Sequence, residues 1–340
     1  MIKKFAVTLA AALVIASTGC GNDSKPPIVS YVARANSDQV PHLFKLNESA
    51  QTSTAVNIAI PDDAEFVSAN SDATAVTYCR EGENTFEIFV MGTDGVEKQL
   101  TTDADACESV FSPDGKTIAY ISVASGDFQT FTMNVDGSNQ QVLYAPAEGT
   151  LEQFFPEFSP DSKSVVFYVE STAPAAGVQR RLPSGRVSRW LSQPKSRSAA
   201  STHRSAVPGI VTPSSGWYTM ALTDTIPTLV YPTVNIAGPT VYSGDGTKLL
   251  VTDFDGNAAN IFSVNLDGTA ITQITTSTDE ADFGAVSYKN LILFNRTNST
   301  GDTLSVDIYV MDQTGSNQVL VHSTADTWET LLDSFWFPEN

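Results

Sequence analysis

From about residue 28 onward, apolar and polar residues alternate in short runs separated by Pro, Asp, Gly and Asn. A period of two marks strands with one face committed to a core, and the interrupting residues supply the dihedrals of tight turns. Two units recur. The first is clearest as "FSPDGKTIAYIS" (Phe111 to Ser122). It returns as "FSPDSKSVVFYV" (Phe158 to Val169) and "YSGDGTKLLVTD" (Tyr242 to Asp253), and more weakly as "ANSDATAVTYCR" (Ala69 to Arg80) and "AVSYKNLILFNR" (Ala285 to Arg296). Each reads as strand, turn, strand.

The second unit follows each copy of the first. "IFVMGTDG" (Ile88 to Gly95), "TFTMNVDG" (Thr130 to Gly137), "IFSVNLDG" (Ile261 to Gly268) and "IYVMDQTG" (Ile308 to Gly315) align without gaps, and "WYTMALTD" and "LFKLNESA" fit the same frame. Its second position is aromatic throughout: Phe44, Phe89, Phe131, Tyr218, Phe262 and Tyr309. Asp-Gly or a relative then turns the chain into a further strand. Four short strands at a pitch of roughly 40–50 residues describe a propeller blade. The repeat resembles the TolB-type β-propeller family, whose blades carry this S-P-D-G turn and "IYVMN-DG" strand. The resemblance implies an all-β, six-bladed β-propeller spanning 28–340.

Two features bear on how the ring is built. The C-terminal "FWFPEN" aligns with "EFSPDS", and the strand expected after it is the N-terminal "KPPIVSYVA" (Lys25 to Ala33). The propeller is therefore expected to close by pairing N- and C-terminal strands in one sheet, which removes an open edge. The spacing from Phe131 to Tyr218 is about twice the others. Residues 171–215 lie in that gap. They hold Arg180, Arg181, Arg186, Arg189, Lys195, Arg197 and Arg204, and no acid occurs from Ser171 through Thr223. Rich in Ser, Ala and Pro and without alternation, the stretch reads as a disordered insertion between two strands of one blade; the alternative is a degenerate seventh blade.

The first nineteen residues change the address of the protein. Lys3 and Lys4 precede a short apolar run, Phe5 to Ala16, and then "STGC". This resembles a bacterial lipoprotein signal, implying lipidation of Cys20, with residues 20–27 as a linker. Gly21 after the cysteine resembles the outer-membrane sorting pattern, so a position facing the periplasm is expected. The remaining cysteines, Cys79 and Cys107, would meet an oxidising compartment, and a disulfide between them is expected to staple a blade junction. The 340-residue chain has 19 Lys plus Arg against 38 Asp plus Glu, a net charge of −19. That acidity argues against nucleic acid as a partner.

Chemistry is sparse. There is no G-x-S-x-G element, and His42, His203 and His322 lie in no metal-ligand spacing. "DFDGN" (Asp253 to Asn257) and "TTDADACE" (Thr101 to Glu108) carry carboxylates without a complete calcium-loop pattern and read as turns. No catalytic residue, metal or cofactor is assigned. The expected role is that of a monomeric, lipid-anchored envelope protein that binds another protein. The alternative is a propeller enzyme, a polysaccharide lyase or hydrolase, with its site in the central funnel. The basic insertion reads as a solvated loop, against a clamp for anionic envelope polymers or lipid head groups.

Overall fold

The computed structural model describes residues 11–12, 29–34, 41–47, 52–83, 85–124, 126–145, 151–171, 214–233, 239–255, 258–278, 280–288, 291–300 and 303–323. Among them lie six antiparallel sheets, each of four strands in chain order. The first holds β1 (Ala11–Ala12), β2 (Val29–Arg34), β3 (Pro41–Asn47) and β4 (Thr52–Ala59). The second holds β5 (Glu65–Ala69), β6 (Ala75–Glu81), β7 (Phe86–Gly92) and β8 (Glu97–Gln99), and the third β9 (Ala106–Phe111), β10 (Thr117–Ser122), β11 (Gln129–Asn134) and β12 (Gln141–Val142). The fourth holds β13 (Leu151–Phe158), β14 (Ser164–Ser171), β15 (Gly216–Ala221) and β16 (Thr228–Pro232). The fifth holds β17 (Val241–Tyr242), β18 (Lys248–Asp255), β19 (Ala258–Asn265) and β20 (Thr272–Gln273). The sixth holds β21 (Asp282–Tyr288), β22 (Leu291–Thr300), β23 (Thr303–Asp312) and β24 (Val319–Ser323).

The first repeated unit is a self-contained turn. Ser112 Oγ donates to Asp114 Oδ1 at 2.7 Å, and the same carboxylate oxygen accepts the Lys116 N–H. Ser159 with Asp161 and Ser243 with Asp245 repeat the arrangement at 2.7 and 2.6 Å. These bonds, led by the serine hydroxyl, hold the Asp161 and Asp245 carboxyls below their ordinary range. The turns also touch from sheet to sheet: the Asp114 N–H donates to Ser162 Oγ, and the Gly244 N–H to Ser287 Oγ.

The aromatic frame is a set of cross-strand pairs between the second and third strands. In register stand Tyr31 with Phe44, Tyr78 with Phe89, Tyr120 with Phe131, Phe167 with Tyr218, Val251 with Phe262 and Phe294 with Tyr309. Three of these pairs stack at ring separations of 5.5 to 6.0 Å, the geometry that rewards such neighbours.

An apolar layer lies between consecutive sheets, and β14 shows how one strand serves two of them. Val165, Phe167 and Val169 pack toward Ala119 and Tyr144 of the third sheet. Val166 and Tyr168 pack toward Tyr242, Leu249 and Val251 of the fifth. A strand buried on both faces reads as a continuous apolar run, which is why "SVVFYV" shows no polar alternation. The Asp-Gly turns between third and fourth strands do more than reverse the chain. Gly137 and Gly268 have φ of 87° and 80°, and a Cβ there would lie 3.0 and 3.1 Å from the carbonyl oxygens of Leu100 and Val230 in the preceding sheet. At Gly315 a Cβ would overlap the Ile274 carbonyl.

Two expectations meet the limits of the described residues. β14 pairs directly with β15 from Ser164–Ala221 to Val169–Gly216, so residues 172–213, outside the described set, run from the second to the third strand of the fourth sheet. The C-terminal "FWFPEN" also lies outside the described residues. In the full chain the place beside β2 is taken by β1, with Ala11 opposite Ala33 and Ala12 opposite Val32. β1 lies inside the apolar run read as a leader. An open edge of N–H and C=O groups pairs with any extended segment within reach, which accounts for this occupant.

Candidate functional site

The first strands of four sheets share one irregularity. β5, β9, β13 and β21 all shift register against their second strands at one equivalent step. In the first three the bulge residue is Phe66, Glu108 or Phe155, with φ of 50°, 52° and 55°. A left-handed conformation at large non-glycine residues costs about 1 kcal/mol or more each and recurs only where neighbouring contacts compensate. The compensation is packing between sheets. Phe66 packs against the buried Cys107 and Ile121 of the third sheet, and Phe155 packs with Trp217 of its own sheet, ring centroids 6.4 Å apart, into the cluster that holds Tyr242, Leu249 and Val251 of the fifth. The equivalent position in β21 is Gly284.

Glu108 is the chemically distinct member. Its side chain is buried, 3% exposed, between β9 and β13. Oε2 accepts the Phe155 N–H at 2.7 Å, and Oε1 has no hydrogen-bond partner among the described residues. Burial pushes its carboxyl up to about 8, against which the Phe155 bond works in the opposite direction. At neutral pH it is therefore mostly a protonated acid. It joins the third and fourth sheets through one charge-sensitive hydrogen bond. Sequence reasoning missed it, because it sits at the end of "TTDADACE", weighed as a calcium loop. The available signal was a lone carboxylate three residues before Phe111 in an otherwise apolar first strand.

Cys79 and Cys107 come together at the junction of the second and third sheets. Both are fully buried, their Cα atoms are 5.1 Å apart, and their sulfurs touch. Cys79 lies near the end of the second strand, β6, as its place in the repeat suggests, while Cys107 lies within the first strand, β9, rather than just before it. The bulge at Glu108 carries the first strand past its turn-proximal end and brings Cys107 into the sheet, opposite Ile121.

Two arginines occupy equivalent places. Arg80 in β6 lies 4.6 Å from the Phe89 ring centre and pairs with Glu97, which also accepts the Tyr78 hydroxyl. Arg296 in β22 lies 4.9 Å from the Tyr309 ring and pairs with Asp282 through Nε–Oδ1 at 2.6 Å and Nη2–Oδ2 at 2.8 Å. Polar clasps tie the connections between sheets to the third strands. Thr101 Oγ1 donates to Glu87 and accepts the Ile88 N–H; Thr275 Oγ1 does the same between Asn260 and Ile261.

The other singled-out residues do not converge. His42 is in β3 and His322 in β24, while His203 and Cys20 lie outside the described residues. Asp253 and Asp255 belong to β18 as it turns into β19. Among the described residues no group of three or more His, Cys, Asp or Glu side chains is placed to hold a metal ion.

No family model matches the chain. Over 98 residues, 28% of its length, it is 35% identical to an uncharacterized protein of Agrobacterium fabrum, and the match spans 32% of that protein. Solved structures are similar over far more of the chain. A proposed TolB from Agrobacterium tumefaciens aligns over 86% of this chain and 94% of its own, with a TM-score of 0.58 at 15% identity. Oligogalacturonate lyase from Vibrio parahaemolyticus aligns over 88% and 73%, with a TM-score of 0.56 at 11% identity. A puromycin-hydrolyzing peptidase from Mycobacterium tuberculosis aligns over 89% and 45%, with a TM-score of 0.51 at 15% identity. Neighbours so different in activity share architecture alone. With consecutive four-stranded antiparallel sheets and these neighbours, the chain is an all-β protein of the β-propeller fold.

Proposed function

We propose that this propeller is a non-catalytic binding scaffold of the bacterial envelope, exported, lipid-anchored through Cys20 and presenting loops to a protein partner. The observation that carries the reading is the β14–β15 hairpin. Six consecutive residue pairs fix β14 against β15, ending with Val169 opposite Gly216, and the charged residues of the connecting stretch 172–213 are all Lys or Arg in an otherwise acidic chain. Loops positioned by a rigid scaffold are where binding residues concentrate. Export also supplies the oxidising compartment in which the touching Cys79 and Cys107 sulfurs form a disulfide.

The experiment is cross-linking in the native envelope, comparing the full chain with a variant lacking Gln179 to His203. A discrete protein adduct that disappears with the deletion supports the reading. Cleavage of an oligogalacturonide or of an envelope polysaccharide by the purified protein would replace it with the enzymatic alternative.

A further inference from the structure

We propose that β24, the outer strand of the sixth sheet, is a pairing edge at which two copies of this chain join antiparallel about a two-fold axis. An outer strand presents a row of backbone N–H and C=O groups without a neighbour, and chains blunt such an edge with short length, charge or proline. Four outer strands here carry one of these devices. β12 and β20 are two residues long. β8 is three residues long and holds Glu97 and Lys98. β16 follows Pro227 and ends at Pro232. β24 runs for five residues, Val-Leu-Val-His-Ser, with no proline and no Asp, Glu, Lys or Arg, and it ends its sheet among the described residues.

Register shows that its residues also depart from the repeat. One residue of each outer strand stands opposite the residue that follows the third-strand aromatic. It is Thr54, Lys98, Gln141, Thr228 and Thr272 in the first five sheets and Val319 in the sixth. The place faces solvent, since Lys98, Gln141, Thr228 and Thr272 are all exposed. Val319 is 57% exposed there, and Leu320, opposite Tyr309, is 48% exposed. Successive strand residues point to opposite sides of a sheet, so apolar surface flanks this edge on both faces. In the fourth sheet the leucine opposite the aromatic, Leu229, packs instead against the core between the third and fourth sheets. The first sheet's β4 is longer, but its two residues at these places are Thr54 and Ala55. β24 and β16 share a one-residue bulge, at Val321 and Val230, so the bulge does not set β24 apart.

The edge also names its occupant. A net charge of −19 makes two copies repel, and approach is least opposed where neither presents a charge. Antiparallel pairing of β24 with itself brings the same uncharged run from both sides, N–H groups of one copy meeting C=O groups of the other. A two-fold contact is self-complementary and closes after one step, giving a dimer rather than a fibre. Val319 and Leu320 of both copies then withdraw from water beside the joined edge.

The test is sedimentation equilibrium of the purified exported protein at about 0.5 M salt, which screens the net charge. Two five-residue edges make a contact at the small end for specific interfaces. Pairing is therefore expected to be weak, with mass rising toward twofold between about 10 µM and about 1 mM. Val319→Lys combined with Leu320→Gln gives this edge the residues of the second sheet, Lys98 and Gln99, and is expected to hold the mass at one copy throughout. In wild type, amide exchange at Val319–Ser323 is expected to slow about two- to threefold over the same rise in concentration. This second readout stands even if the substituted chain fails to fold. A mass of one copy at every concentration returns the monomer expected from the sequence and overturns the proposal. Equal association in the folded substituted chain overturns it too, as does growth past two copies, which marks an aggregating edge. Protection of β24 that appears only when another envelope protein is added assigns the edge to that partner and overturns the second copy. Neither readout involves the envelope cross-linking adduct, so failure here leaves the scaffold reading standing.

Discussion

The second and sixth sheets are built on one frame and diverge at one residue. β6 reads Thr77-Tyr78-Cys79-Arg80 and β22 reads Leu293-Phe294-Asn295-Arg296. Both place an aromatic against its third-strand partner and an arginine over that partner's ring. What differs is the residue before the arginine, Cys79 bonded to the next sheet or the buried Asn295, and the carboxylate that holds the arginine. Glu97 comes from the outer strand of its sheet and is 23% exposed, whereas Asp282 comes from the first strand and is fully buried. The lesson is that the repeat specifies packing within a sheet, while the residue before the arginine and the arginine's own carboxylate are set sheet by sheet.

The sharpest way to break the comparison is to remove the arginines. Arg296→Met leaves the Asp282 carboxylate buried without its bidentate partner and is expected to cost about 3–5 kcal/mol in chemical denaturation. Arg80→Met, with both partners partly solvated, is expected to cost about 1 kcal/mol or less. Equal costs would mean the two clasps do the same job. Next in size is the Cys79–Cys107 staple. Replacing both with Ser is expected to cost about 3 kcal/mol, and the wild type treated with reductant should approach the same midpoint.

Glu108 predicts a pH dependence with a definite sign. Its folded value, about 8, lies above the ordinary carboxylate value of 4.5, so the folded state holds the proton that the unfolded state releases. The contribution is complete below about pH 4.5 and declines as pH rises toward 8, at most roughly 1.4 kcal/mol per pH unit. Glu108→Gln should flatten that part of the stability profile relative to wild type; an unchanged slope would show that burial is not what sets its ionisation. The contact between neighbouring sheets is tested by Gly315→Ala. A Cβ there meets the Ile274 carbonyl at positive φ, so a loss of about 2–3 kcal/mol is expected, against about 1 kcal/mol for Gly95→Ala, where the positive φ is strained but the space is open.

Much of the architecture was legible because it depends on local period. The aromatic of the second unit declared its strand, and the serine–aspartate turn declared its hairpin. What stayed hidden depends on distance between sheets. Nothing near Glu108 in sequence announces Phe155, and "TTDADACE" looks like a polar loop until the bulge turns its last residue inward. The Asp-Gly signal was read correctly as a turn, yet the need for glycine at position 315 comes equally from the sheet behind it.

Ring closure is tested most directly by amide hydrogen exchange on the exported protein, followed at Val29–Arg34 and at 329–336, the counterpart of β13 in the repeat frame. A closed propeller predicts slow exchange in both segments, with protection lost together when the chain ends at Trp328. Exchange of 329–336 at the rate of an unstructured peptide, with Val29–Arg34 unaffected by its removal, would contradict closure by the two ends of the chain.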